Sequence, residues 1–180
     1  MSQKGVSMPD PYEILIEYKQ NLAKTLMSNP HNKGERMLEI LCCPSFHVET
    51  SIEVIQQSEG TTLRLTSLNK SLWWNRHMEE TIETFTESCL VSEWRAKRFW
   101  KKVESVNPLK LTDDYEPDVL DGIGLTIRYQ AENHTNQHES HSPSRIHPDG
   151  ILLKSTLDLG RWVLKTRDSR NRIKEIRSYL

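Results

Sequence analysis

The sequence predicts an α+β fold: a single domain over residues 10–180, with an antiparallel sheet of about five strands and three or four flanking helices. Three observations carry this. Ile123, Leu125, Ile127, Tyr129 and Ala131 alternate with Gly124, Thr126, Arg128 and Gln130, the period of two of a strand. Ala96, Phe99, Trp100, Val103 and Val106 recur at three and four, the period of an amphipathic helix. The helical segments flank and interrupt the strands without alternating regularly with them, which weighs against a parallel doubly wound sheet. One face of the sheet is expected to be covered by helices and the other to be partly wet.

Residues 1–9 are mostly polar and small and read as a mobile tail. Asp10 then offers an N-cap, Pro11 fits the first helical position and Glu13 sits at N3, so a helix starts here. Leu15, Tyr18, Leu22 and Leu26 give it one apolar face. Asn29-Pro30 ends it, because the residue before proline is pushed out of the helical region. Residues 36–42 suit either a strand or a helix. Phe46, Val48, Ile52 and Val54 alternate with Ser45, His47, Glu49, Ser51 and Glu53, which predicts a strand with one wet face. Ser58-Glu59-Gly60 turns it into a second strand through Leu63 and Leu65.

Phe85, Cys89 and Val91 mark a strand over 84–91, with Glu87 interrupting the apolar side. Ser92 can cap the helix that follows, and Asn107-Pro108 stops it. Residues 109–121 hold five acids and one lysine and predict a surface loop. After the strand over 123–131, residues 132–136 read as a hairpin loop that returns through 137–142. Pro148 and Asp149 open a helix with Leu152, Ser155, Leu159 and Trp162 on one face. Gly160 weakens that helix by about 1 kcal/mol relative to alanine. A break at Asp168-Ser169 separates it from a last amphipathic segment carrying Ile173, Ile176 and Leu180.

Composition excludes several classes. The longest apolar runs, such as Ile14-Leu15-Ile16, fall far short of the ~20 residues that span a bilayer. The polar start lacks the apolar core of a signal peptide. Three cysteines, Cys42, Cys43 and Cys89, are an odd number with no C-x-x-C, which fits neither a disulfide framework nor a thiolate zinc site. A reducing, cytoplasmic setting without membrane contact is expected. Glycine-rich phosphate loops and a nucleophile elbow are missing, so no cofactor is expected.

Four of the seven histidines, His134, His138, His141 and His147, lie close together with Glu132, Glu139 and Asp149 among them. Imidazole and carboxylate are the ligands of catalytic zinc and non-haem iron, so these four are the candidate metal ligands of a hydrolase. Spacing works against them. On a strand His138 and His141 face opposite sides, leaving Glu139 and His141 as two ligands where catalytic zinc takes three. Cys42-Cys43 near His47 has the residue types of a nucleophile and base, but no orienting partner is legible.

The candidate partner-binding residues are Trp73 and Trp74, one expected to reach solvent from an extended segment, and the acidic residues Asp113, Asp114, Glu116 and Asp118 around Tyr115. Residues 92–102 carry five basic residues and one acid, and residues 161–180 carry seven and two. Such faces bind phosphates, yet no nucleic-acid motif accompanies them, and a net charge of -1 does not favour a nucleic-acid partner. The leading expectation is therefore a non-enzymatic protein that binds another protein, such as an inhibitor or immunity-type antitoxin. A metal-dependent hydrolase and a nucleic-acid accessory protein using the basic C-terminal helix are the alternatives.

Overall fold

The computed structural model describes residues 10–28, 36–76, 81–114 and 121–180. The elements run α1 (Pro11–Leu26), β1 (Arg36–Pro44), β2 (Thr50–Gln57), β3 (Gly60–Leu68), α2 (Leu72–Asn75), β4 (Thr84–Val91), α3 (Glu93–Glu104), a 3-10 turn (Pro108–Lys110), β5 (Ile123–Ala131), β6 (His134–His141), α4 (Pro148–Val163) and α5 (Arg167–Arg177). The strands form one antiparallel sheet in the order β4-β3-β2-β1-β5-β6. The architecture is α+β, with six strands and five helices among the described residues. The expected tail over 1–9 and the Asn29-Pro30 helix end lie outside those residues.

The sheet has a helix layer on each side. On one face Leu38, Ile40, Ile52, Val54, Leu63, Leu65, Leu125 and Ile127 meet Phe99, Trp100 and Val103 of α3, Leu152, Leu153 and Leu157 of α4, and Ile173 and Ile176 of α5. On the other face α1 lays Leu22 and Leu26 against Leu41 and Leu68. The polar side of β2 is therefore not wet. Glu49, Ser51 and Glu53 are all buried.

Cross-strand register then aligns a row of charges on this second face. Arg64 stands opposite Glu53, Glu53 opposite Glu39, and Glu39 opposite Arg128. Arg64 bonds Glu53 at 2.5 Å, and Arg128 bonds Glu39. Ser28, just past α1, donates its N–H to Glu39 and its hydroxyl to Glu53. The row thus ties the end of α1 to three central strands.

Other boundaries move for local reasons. Residues 36–44 are a strand, buried along nearly their whole length because β1 is central and covered on both faces. β2 begins at Thr50; Phe46 lies in the preceding loop, where it is exposed. The β5–β6 turn is only Glu132-Asn133, so β6 begins at His134. Ser92 occupies the N-cap position of α3, but its side chain makes no cap hydrogen bond. The last break comes at Leu164-Lys165, where Thr166 caps α5 by accepting the Ser169 N–H; Asp168 and Ser169 lie inside the helix.

α4 buries Leu152, Leu153, Thr156, Leu159, Gly160 and Val163, which leaves Trp162 on its open side, 69% exposed. The glycine at 160 allows close approach of α5, since a Cβ there would lie 2.8 Å from Ile173 Cδ1. No helix among the described residues is long and apolar enough to cross a membrane.

Candidate interaction groove

α3 and α4 pack side by side on the sheet through the apolar faces given above. Their open sides enclose a groove of about 820 Å³. α3 contributes Trp94, Arg95, Arg98, Lys101 and Lys102; α4 contributes Lys154, Ser155, Asp158 and Trp162. The helical repeat explains the set. Trp94, Arg98, Lys101 and Lys102 recur at three to four residues on the flank of α3, and Lys154, Asp158 and Trp162 recur at four on α4.

Trp94 and Trp162 stand on the two sides of the groove, 61% and 69% exposed. The Arg95 guanidinium sits between them, 4.8 Å from the Trp94 ring centroid and 5.7 Å from that of Trp162, a cation–π arrangement. Asp158 is the one acid in the lining. Partial burial works against its ionisation, but bonds from Lys154, at 2.7 Å, and from Arg177 outweigh that and hold its carboxyl below the usual range. Arg98, Lys101 and Lys102 form no ion pair among the described residues. The groove therefore carries uncompensated positive charge beside two large apolar rings.

The residues expected to bind a partner are placed elsewhere. Trp73 and Trp74 lie in the short helix α2, not in an extended segment. Trp73 meets Tyr18 edge to face at 5.1 Å, while Trp74 is 59% exposed and donates its Nε1–H to the Ser45 carbonyl. Buried Glu49 accepts the first N–H groups of this helix, from Leu72 and Trp73. Asp113 accepts the Glu139 N–H at 2.8 Å, and Asp114 bridges to Ser140, so the start of the acidic segment runs along the β6 edge. Tyr115, Glu116 and Asp118 lie outside the described residues.

The four histidines divide between the faces of β6 and the loop beyond it. His138 is buried under the helix layer, with Nε2 2.8 Å from Asp149 Oδ1 and Nδ1 unpartnered. His147 caps α4, 3.6 Å from Asp149 and 3.4 Å from Asp114. His141 lies on the opposite face and lines a cleft beneath α1, and His134 begins the strand in an exposed position. Among the described residues no group of three or more His, Cys, Asp or Glu is placed to hold a metal ion.

Burial pushes the Cys42 thiol well above its ordinary range. Burial and the charge of Glu49 push Cys43 up to about 12. Both thiols are therefore protonated near neutral pH and poor nucleophiles. His47 Nδ1 bonds the Tyr179 hydroxyl at 2.9 Å.

The sequence reading missed the groove. Its signal lay in Trp94, one turn before Arg98 on the face opposite Ala96, Phe99 and Val103. Trp162 shares the helical spacing of Leu152, Ser155 and Leu159, but a spacing of three from Leu159 fits more than one face, and the structure leaves Trp162 exposed. Comparison with known proteins finds no matching family model and no matching curated relative.

Proposed function

We propose that this protein acts by binding another protein and performs no chemistry itself, an inhibitor or immunity-type antitoxin being the role such a surface serves. The observation that carries the reading is the α3–α4 groove, where two exposed tryptophans flank an arginine beside cations that have no acidic partner among the described residues. Tryptophan and arginine dominate the energetic centres of protein interfaces. Uncompensated charge beside them speeds encounter with a partner of opposite sign. The Trp74 surface and the acidic segment at Asp113 and Asp114 form a second candidate face, with charge of the other sign.

The test is affinity capture with the full chain, followed by titration of whatever partner it retains. Trp94→Ala with Trp162→Ala is expected to weaken that partner by tenfold or more. If neither this pair nor Trp74→Ala with Asp113→Asn and Asp114→Asn changes its affinity, the reading is wrong.

A further inference from the structure

We infer that the α3–α4 groove receives an acidic amphipathic helix of a partner protein, one whose carboxylates face the cations and whose apolar side chains meet the edges of Trp94 and Trp162. The inference rests on the protein-binding reading of the same groove and names the partner's chemistry.

Charge complementarity sets the sign. Five lining cations face one acid, and that acid is already held by Lys154 and by Arg177. The charge left over belongs to α3 and is repeated along it, at Arg95, Arg98, Lys101 and Lys102. Spacing sets the shape. Arg95, Arg98 and the Lys101-Lys102 pair recur every three to four residues, about one step per 5.4 Å turn. A helix lying along α3 with an acid at every turn matches that repeat. The 12 residues of α3 run roughly 18 Å, enough for about three turns of such a helix.

The aromatic geometry favours a peptide over a nucleic-acid strand. Single-stranded nucleic acid binds by stacking bases on open aromatic faces beside a charged track. Here Arg95 lies over one face of each tryptophan ring, so a base stacking on that face must displace a cation. On α5, Arg172 is paired with Glu175, Arg177 with Asp158, and Arg170 donates to the Leu164 carbonyl, so these three cations serve internal contacts, while Arg167 and Lys174 are exposed. Ring edges and the indole N–H remain open to leucine or phenylalanine side chains and to carboxylates.

The experiment uses the full chain and three labelled probes, with binding read by fluorescence anisotropy. One is a 20-residue amphipathic peptide with glutamate on one face and leucine and phenylalanine on the other. The second replaces every glutamate with glutamine. The third is a single-stranded oligothymidine of similar charge. The acidic peptide is expected to bind, at least tenfold more tightly than its glutamine analogue and than the oligonucleotide. Lys101→Glu with Lys102→Glu, at exposed positions remote from the core, is expected to weaken it tenfold or more, and Trp94→Ala with Trp162→Ala likewise. Circular dichroism of each variant guards against misfolding.

Equal binding of the glutamine analogue, tighter binding of the oligonucleotide, or no binding of the acidic peptide overturns the inference. If the peptide fails while a captured partner still depends on Trp94 and Trp162, only the partner's assigned chemistry falls. If the captured partner is also indifferent to them, the protein-binding reading of this groove falls with it.

Discussion

Glu87 is an acid on the apolar side of β4, a position that local hydrophobicity alone disfavours. Its carboxylate closes the start of α5. It accepts the Lys165 N–H at 2.7 Å and the Thr166 hydroxyl at 2.6 Å, with the Thr166 N–H at 3.3 Å. Its slight burial works against ionisation, yet these donors outweigh it and hold the carboxyl down to about 2, from an ordinary 4.5. A folded-state pKa below the unfolded value means stabilisation that is full above about pH 4.5 and lost as pH falls toward 2. Glu87→Gln keeps the shape and removes the charge, and is expected to cost about 1 kcal/mol at pH 7, the scale of a helix cap. Urea denaturation across pH checks this. The gap between variant and wild type should narrow as pH falls from 4.5 toward 2, and a gap independent of pH would contradict the assignment.

At the scale of elements, the charge row across β3, β2, β1 and β5 fastens α1 to the sheet. Burial pushes the Glu39 carboxyl up, although the Ser28 N–H and Arg128 pull it down. Arg128 thus offsets the burial of Glu39, which the fold otherwise disfavours in ionised form. Arg128→Met leaves Glu39 and Glu53 facing each other beneath α1, and is expected to cost about 3 kcal/mol, the scale of a buried charge stripped of its partner. Adding Glu39→Gln removes the orphaned charge and should restore part of the loss. A double variant no more stable than Arg128→Met alone in urea denaturation would show that packing, not charge, sets the cost.

This row also shows where the sequence stops being readable. β5 is legible to the residue because its two faces alternate cleanly. β1 is ambiguous because a central strand covered on both faces has no alternation to read. Glu49, Ser51 and Glu53 read as wet because their partners, Tyr18, Ser28, Ser71, Arg64 and the N–H groups of α2, come from elements that only the tertiary fold brings near. The groove was hidden for the same reason. Its cations on α3 are visible as a run, but the second tryptophan arrives from α4, dozens of residues along the chain. Gly160 reads locally as a weakness in α4, and its contact with Ile173 becomes apparent only once α5 folds back against it.

For the whole molecule, a net charge of -1 conceals a field of opposite sign at the groove. A nearly neutral protein exerts little long-range pull, so encounter with an acidic partner depends on this local patch. That separates two kinds of groove residue by rate. Lys101 and Lys102 are exposed cations at the rim with no ion pair among the described residues, and rim charges act mainly on association. Trp94 and Trp162 offer area to be buried, and lost packing acts mainly on dissociation. With a partner bound at the groove, Lys101→Glu with Lys102→Glu should lower the association rate constant by about tenfold at low salt and change dissociation little. Raising ionic strength to 0.5 M should shrink that difference, since the screening length falls to a few ångströms. Trp94→Ala with Trp162→Ala should instead raise the dissociation rate about tenfold, with little response to salt. Stopped-flow fluorescence, or surface plasmon resonance at two salt concentrations, reads both constants. Lysine variants that alter only dissociation, or tryptophan variants whose effect vanishes in salt, would reverse these assignments and place the energetic centre of the interface on the charges, not the rings.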